Sequence, residues 1–302
     1  IPASGGLETE SGVNEMKKEA GLVLEGGANR GVFTAGALDY LMEQDFYLPY
    51  VVGTSAGACN AVSYVSRQPG RMKRCCIITD RENRYVTVKN TLKTHTLLDM
   101  DLMFDTFPQK TFPFDYDTYF HSEIQCEMAV TNCITGKAEY LSEHSSRRRL
   151  MDICRASSSI PVMTKIVYVD GNPYVDGGLA DSVPVIRALK TGHRKPVIIL
   201  TRNKGYRKKP VRPGKNIYRV LYGKTYPNLA KSMEMRAGIY NKTMDYIDKW
   251  EREGKVFVLR PRIPPVSRLE RDTGRMEEFY QHGYDLMEKR FGELEEFLER
   301  KQ

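Results

Sequence analysis

Tyr50-Val51-Val52-Gly53-Thr54-Ser55-Ala56-Gly57-Ala58 is the stretch on which the fold turns. A short apolar run enters Gly-Thr-Ser-Ala-Gly and continues into small residues suited to a helix. This is a G-x-S-x-G nucleophile elbow in its expected context, strand before and helix after. Gly53 and Gly57 leave room around a sharp turn where side chains would collide. The turn lifts the Ser55 hydroxyl above the sheet edge and aims it at a helix N-terminus. The positive end of the backbone dipole there favours a developing anion. An ordinary Gly-Ser turn has the same letters, so the flanking segments decide.

Upstream, Gly21-Leu22-Val23-Leu24-Glu25 reads as a buried first strand. Gly26-Gly27-Ala28-Asn29-Arg30-Gly31 follows, then a helix from Val32 to Gln44 with Val32, Ala35, Leu38, Leu41 and Met42 on one face. Strand, Gly-rich loop and helix together form an anion-binding arrangement, with converging N–H groups and the helix dipole behind them. Neither G-x-G-x-x-G nor G-x-x-x-x-G-K-[ST] fits the loop, which counts against a nucleotide phosphate. The oxyanion of an acyl-transfer intermediate fits better, because the elbow follows so soon.

Downstream, the second strand spans 50–53 and the elbow helix Ala56 to Ser66. Arg71 opens a short helix, and Thr96 to Asp105 reads as an apolar helical segment. The aromatic, Pro-punctuated region 71–120 suits a lid, an acyl-chain pocket wall or a core-packing insertion. Ile124, Cys126, Met128 and Val130 alternate as a half-buried strand, returned by Ala138 to Leu141. Ser145 to Ala156 is a helix, with Arg147-Arg148-Arg149 as a solvated face, broken by Ser157-Ser158-Ser159. Asp170-Gly171-Asn172 turns a hairpin whose second strand leads into Asp176-Gly177-Gly178, an acid at a strand end aimed at a cleft. Then come a helix from Val183 to Leu189, a strand from Val197 to Leu200, a long helix from Tyr226 to Glu251, a last strand from Lys255 to Leu259 and a charged helix from Thr273.

The 302 residues suffice for one large α/β domain or two small ones, with 41% hydrophobic content for the core. The net charge of +8 suits an anionic partner, but no zinc-finger, RNA-binding or basic-zipper pattern is present, so no nucleic acid is expected. Eight basic residues fall in 202–219 with no acid among them. That stretch reads either as a peripheral contact with anionic membrane or as a loop paired with Glu293, Glu295, Glu296 and Glu299. Six cysteines without a C-x-x-C pair read as reduced thiols of a cytoplasmic protein. No apolar run reaches the roughly 18 residues needed to span a bilayer. Residues 1–15 read as a disordered tail or an expression remnant.

Gly26–Gly31, the elbow around Ser55 and Asp176-Gly177-Gly178 stand in an order and spacing that resemble the patatin-like phospholipase family, in its bacterial type, over roughly residues 20–200. The family patterns are G-G-G-x-[RK]-G, G-x-S-x-G and D-G-[GA]. Ala28 stands where the family usually has its third glycine. The resemblance implies a three-layer α/β/α fold around a largely parallel sheet. It divides the chain into a catalytic domain at 16–204 and a mostly helical region at 205–302 packed on it. It implies a lipid acyl hydrolase working through a Ser55–Asp176 dyad, an oxyanion held by backbone N–H groups of Gly26, Gly27, Ala28 and Asn29, and Arg30 fixing that loop up to Gly31. Gly53 and Gly57 shape the elbow, and Gly177 and Gly178 support Asp176. The substrate is an acyl lipid, and the mechanism calls for no metal and no cofactor. A Ser-Asp-His triad is the competing arrangement. Only His193 and His282 follow Asp176, and both read as surface histidines. A catalytically silent membrane-binding module and a nucleotide-binding protein are the readings from other classes.

Overall fold

β1 (Ala20–Leu24) is buried at every residue, as a strand covered on both faces must be. In the computed structural model, which describes residues 19–80, 82–86, 96–210 and 217–300, it lies near the middle of an eight-stranded sheet. The expected tail at 1–15, and Arg212 and Lys215 of the basic stretch, lie outside the described residues. The other strands are β2 (Tyr50–Thr54), β3 (Gln125–Asn132), β4 (Ala138–Leu141), β5 (Val167–Val169), β6 (Asn172–Asp176), β7 (Lys195–Ile199) and β8 (Phe257–Leu259). Their order is β5-β6-β3-β2-β1-β7-β8, with β4 also on β3. The run from β3 to β8 is parallel, and β4, β5 and β6 are antiparallel additions.

Helices cover both faces. The described ones are α1 (Gly31–Glu43), α2 (Ala56–Val65), α3 (Arg71–Cys76), α4 (Tyr116–His121), α5 (Arg147–Ser157), α6 (Val185–Lys190), α7 (Ile217–Tyr222), α8 (Pro227–Arg252) and α9 (Thr273–Glu299). Leu22, Leu24 and Val51 point into a core shared with α1, α2 and α9, while Val23, Val52 and Ile198 point into one shared with α6 and α8. This is the three-layer α/β/α architecture that the motif order implies.

Two segments differ from their sequence reading. The apolar stretch expected as a helix from Thr96 is instead a π-helix over Leu102–Thr111. Pro108 inside it has no N–H to give, and the Phe112 N–H reaches back five residues to the Phe107 carbonyl (2.8 Å). α4 forms where only aromatic punctuation is evident, because the Asp115 carboxylate caps it by accepting from the Thr118 N–H (2.9 Å).

The pairing around β3 positions the rest. β2 runs alongside β3 as far as Thr54 opposite Ala129. β6 takes up the next position, with Asp176 opposite Val130. β4 pairs with Met128–Thr131 at the same time, so it holds the other edge, and β2 and β6 share one edge. β2 is parallel to β3 and β6 antiparallel, so their C-terminal ends meet head to head.

α1 and α9 cross in backbone contact. A Cβ on Gly36 would strike the Tyr280 carbonyl oxygen, and one on Gly283 would strike that of Phe33. Around the crossing, Phe33 packs on Phe279 (5.5 Å between ring centroids) and the Tyr280 hydroxyl donates to Asp39 (2.7 Å). Burial holds the Asp39 carboxyl up at about 6. Gly283→Ala is expected to destabilise the protein by about 2 kcal/mol or more, since one helix must move off the other. Gly292→Ala, on the same helix with nothing near its Cα, is expected to be neutral or to stabilise by up to about 1 kcal/mol. Chemical denaturation of the two variants beside the parent checks this; equal effects would refute the close crossing.

Candidate active site

Ser55 sits at the tip of β2 with φ 56° and ψ −122°, a conformation an L-residue holds only under constraint. The constraint is visible on both sides. A Cβ on Gly53 would strike the Gly57 carbonyl, and one on Gly57 would strike that of Leu24, so the turn closes only with glycine at both positions. The Ser55 N–H donates to Ser157 Oγ (2.9 Å), which donates to the Ala129 carbonyl (2.6 Å). The Ser55 backbone is thus tied indirectly to β3 from the end of α5.

Because β2 and β6 meet head to head, the Ser55 hydroxyl reaches Asp176 directly, donating to Oδ2 at 2.8 Å. Both residues are buried. The other carboxylate oxygen accepts from the Gly178 N–H (2.7 Å), and the Asp176 N–H donates to the Ser159 carbonyl (2.8 Å). Burial raises the Asp176 carboxyl above its ordinary value, while Arg236, the Ser55 and Gly178 hydrogen bonds and Lys208 hold it down. Gly177 lies against the Ala129 carbonyl. The Ser157-Ser158-Ser159 run, which reads as a helix breaker, therefore orients both members of the pair. A serine run after a helix was the available signal, and nothing in its letters points to the elbow.

The Gly26–Gly31 loop also borders Ser55, but two of its expected anion donors are engaged. The Gly26 N–H donates to the Ser182 carbonyl (3.2 Å) and the Asn29 N–H to that of Arg268 (3.3 Å). This corrects the expectation for Gly26 and Asn29, because the loop is tied down through them. Asn29 also donates from its side chain to the Glu270 carbonyl (2.9 Å). Among the described residues, the N–H groups of Gly27 and Ala28 have no acceptor, and both residues line the cavity that Ser55 borders. Ala28 has φ 51°, a left-handed conformation that a glycine adopts without strain. Gly31 begins α1, and its carbonyl accepts from Asn60 (3.1 Å). Arg30 is buried and lines the cavity, and among the described residues its side chain makes no hydrogen bond to the loop.

The cavity beside Ser55 and Asp176 is strongly cationic. Arg30, Arg202, Lys208, Arg236 and Arg268 line it, against the carboxylates of Glu25 and Asp176. Lys208 donates to Ser182 Oγ (2.7 Å) and sits over the Tyr240 ring at 3.8 Å. Arg236 donates to the Gly178 carbonyl (2.7 Å). Reading 202–219 as one surface feature missed Lys208 and Arg202, and Arg236 carries no motif on its long helix. Three other residues of that stretch are paired, though not with the last helix. Arg207 bonds to Asp245 and Asp248, Lys204 pairs with Glu251 and Arg219 with Glu234, while Glu293 and Glu296 pair with Arg290 and Arg300. Arg149, read as solvated, bridges Glu143 and Asp170.

Neither histidine lines this cavity. His193 is buried, not exposed, and stacks on Tyr50 with ring centroids 4.0 Å apart. Tyr50 begins β2, so His193 lies at the end of the sheet away from Ser55, roughly 16 Å off at a strand's rise per residue. His282 accepts from the Arg262 N–H (2.9 Å). Among the described residues, no cluster of His, Cys, Asp and Glu could hold a metal, all six cysteines are free, and no helix is long and apolar enough to cross a membrane.

A second cavity, predominantly apolar, lies on the α2 side of the sheet. Val62, Met72, Met103, Phe104, Phe107 and Phe114 line it, and Cys59, one helical turn beyond Ser55, opens onto it.

Comparison with known proteins bears on the family and the fold. A stretch of 187 residues is 30% identical to the uncharacterized protein YjjU of Escherichia coli (strain K12), covering 60% of this chain and 51% of that protein. The lysophospholipase NTE1 of Lodderomyces elongisporus is 24% identical over 91% of this chain and 19% of its own length. The 1-acylglycerol-3-phosphate O-acyltransferase Pnpla3 of Mus musculus is 27% identical over 46% of this chain and 33% of its own. The chain thus spans about half or less of these curated relatives. Among solved structures, VipD from Legionella pneumophila superposes with a TM-score of 0.51 at 13% identity, over 91% of this chain and 67% of that one. A domain of unknown function matches residues 226–299. The patatin-like phospholipase model matches residues 22–189, which carry all three motifs, and the chain belongs to that family.

Proposed function

We propose that the protein is a serine lipid acyl hydrolase that cleaves carboxylic esters through an acyl-enzyme, with Ser55 as nucleophile and Asp176 as base. The observation that carries this reading is the direct 2.8 Å hydrogen bond from a strained elbow serine to a buried carboxylate. A carboxylate in water is a weak base near pH 4. Burial makes Asp176 a stronger one, within hydrogen-bonding reach of the proton it must take.

The steps follow from the placement. Ser55 Oγ attacks the ester carbonyl carbon as its proton passes to Asp176 Oδ2. The carbonyl oxygen becomes an oxyanion facing the Gly27 and Ala28 N–H groups. The intermediate collapses, the C–O bond to the alcohol breaks, and Asp176 returns its proton to the leaving oxygen. Water then attacks the acyl-enzyme, giving its proton to Asp176, and the acid departs as Ser55 recovers a proton. The apolar cavity that Cys59 lines, one helical turn beyond Ser55, suits the acyl chain. Within region 71–120, Met72, Tyr85, Met103, Phe104, Phe107 and Phe114 then serve as the chain-pocket wall. One relative's name is that of an acyltransferase. An alcohol in place of water at the second step would give that outcome here, and product analysis with and without glycerol acceptors separates the two.

In this reading, residues 16–204 and 205–302 act as one unit, since the cavity draws on both. Approach to an anionic membrane is assigned to the outer part of the basic stretch, where Lys209 and, on α7, Val220 (82% exposed) and Leu221 face solvent.

Ser55→Ala is expected to remove ester hydrolysis and fluorophosphonate labelling while keeping the parent's melting temperature. Labelling at another serine would sink the assignment. Asp176→Asn should be nearly as inactive, and the double variant little worse than either, because the two act as a unit.

Ser157→Ala leaves the buried Ser55 N–H without its acceptor, at a cost of about 1–3 kcal/mol. Its kcat is expected to fall about tenfold or more with KM little changed. An unchanged kcat would show that the elbow holds itself.

The pH profile offers a further check. Asp176 must be ionised to act as base, so kcat/KM falls as pH drops through its pKa, above the ordinary carboxylate value near 4. Arg236 holds that pKa down, so Arg236→Gln is expected to move the acid limb to higher pH. A limb that stays put or moves down would remove Asp176 from the base role.

A further inference from the structure

Accepting the ester-hydrolase reading, we infer that the cationic cavity beside Ser55 binds the phosphate monoester of an acyl lipid head group, and so selects the substrate.

The charges around the cavity do not balance. Five cations face two carboxylates, and both carboxylates are already occupied. Glu25 accepts from the Tyr240 hydroxyl (2.9 Å) and from the Thr201 N–H (2.6 Å) and hydroxyl (3.0 Å). Asp176 accepts from Ser55 and Gly178. Among the described residues, none of the five cations is in an ion pair with a carboxylate, although the chain elsewhere pairs Arg207, Arg149 and Arg260 twice each. Arg30 is 5% exposed and its Nε has no hydrogen-bond partner. The guanidinium thus brings its charge to the cavity wall with no carboxylate paired to it, unlike Arg155 and Arg260, whose Nε atoms are equally enclosed but which each hold two carboxylates. Lys208 is driven well below its ordinary value by burial and by repulsion from Arg236 and Arg268, which an anion among them would relieve.

The position of the cluster ties it to the reaction. Lys208 and Arg236 converge on the Gly177–Gly178 turn, one through Ser182 (Oγ to the Gly178 carbonyl, 2.8 Å) and the other directly. That turn follows Asp176, so Lys208 and Arg236 stand on the segment that carries the carboxylate, in the cavity that Ser55 also lines. Guanidinium forks match phosphate oxygens in pairs, and Lys adds a point charge. A phosphate monoester brings up to two negative charges. A choline phosphodiester brings one and carries an ammonium a few atoms away, which would meet the same arginines. The cavity therefore discriminates by charge. Residues 202–268, outside the motif-bearing segment, supply four of the five cations.

The test uses three monomeric octanoyl esters: of glycerol phosphate, of glycerophosphocholine and of glycerol. The parent is expected to favour the phosphate monoester over the choline ester by about tenfold or more in kcat/KM. Arg268→Gln, altering an exposed side chain, and Lys208→Met should each cut that ratio by about tenfold. Equal rates on all three esters, or a ratio unmoved in both variants, would overturn the inference. Calorimetry on Ser55→Ala with the octyl ether of glycerol phosphate reads the cavity without turnover, and binding should weaken in the Arg268 and Lys208 variants. Inorganic phosphate binding as tightly as the ether would mean a site for free anion and would also overturn it. If no ester is cleaved but the ether binds and the variants weaken it, the hydrolase reading fails and the phosphate site stands.

Discussion

The site depends on two strands ending at adjacent positions on one edge of a third. β2 stops with Thr54 opposite Ala129, and β6 stops with Asp176 opposite Val130. They approach from opposite directions, so the residue after one strand and the last residue of the other point at each other. Backbone pairing, more rigid than any loop, thus sets the 2.8 Å contact between hydroxyl and carboxylate. Ser157 and Ser159 then lock the two ends from the side, each with one hydrogen bond.

That arrangement explains what could be read from the letters. Strand, Gly-rich loop and helix, followed by the elbow and an Asp-Gly-Gly turn, were legible because each has a local cause: apolar runs, glycines at collision points, an acid at a strand end. β1, α1, β2 and α2 fall within a residue or two of their expected bounds. The head-to-head meeting was not legible, because the direction of β6 depends on which edge of β3 β4 leaves open. Nor were Lys208, Arg236 and Arg268, which come from a loop, a helix and a turn separated by dozens of residues and carry no motif. His193 shows the opposite failure. Its Gly-His-Arg-Lys neighbourhood looks solvent-facing, yet the ring is buried flat against Tyr50.

The electrostatics of the site is a balance of opposed terms. Burial pushes the Asp176 carboxyl toward its protonated form, while Arg236, two hydrogen bonds and Lys208 pull it back toward the carboxylate. The structure applies both, with desolvation the larger. In the proposed reading the cationic side chains have two consequences: they draw an anionic group toward the serine, and Arg236 and Lys208 keep the Asp176 carboxyl ionised over a wider pH range.

The loop beside Ser55 has a further dependence, on sequence far downstream. Asn29 is held by the carbonyls of Arg268 and Glu270, and α1, which the loop begins, is seated by backbone contact on α9. On a ribosome, the three motifs emerge long before the residues that hold the first of them in place. The nascent chain would carry its serine and its aspartate without a formed anion-binding loop until α9 has been made and docked. Synthesis order thus makes the loop beside Ser55 one of the last parts of the site to be fixed, although its letters are among the first to be translated.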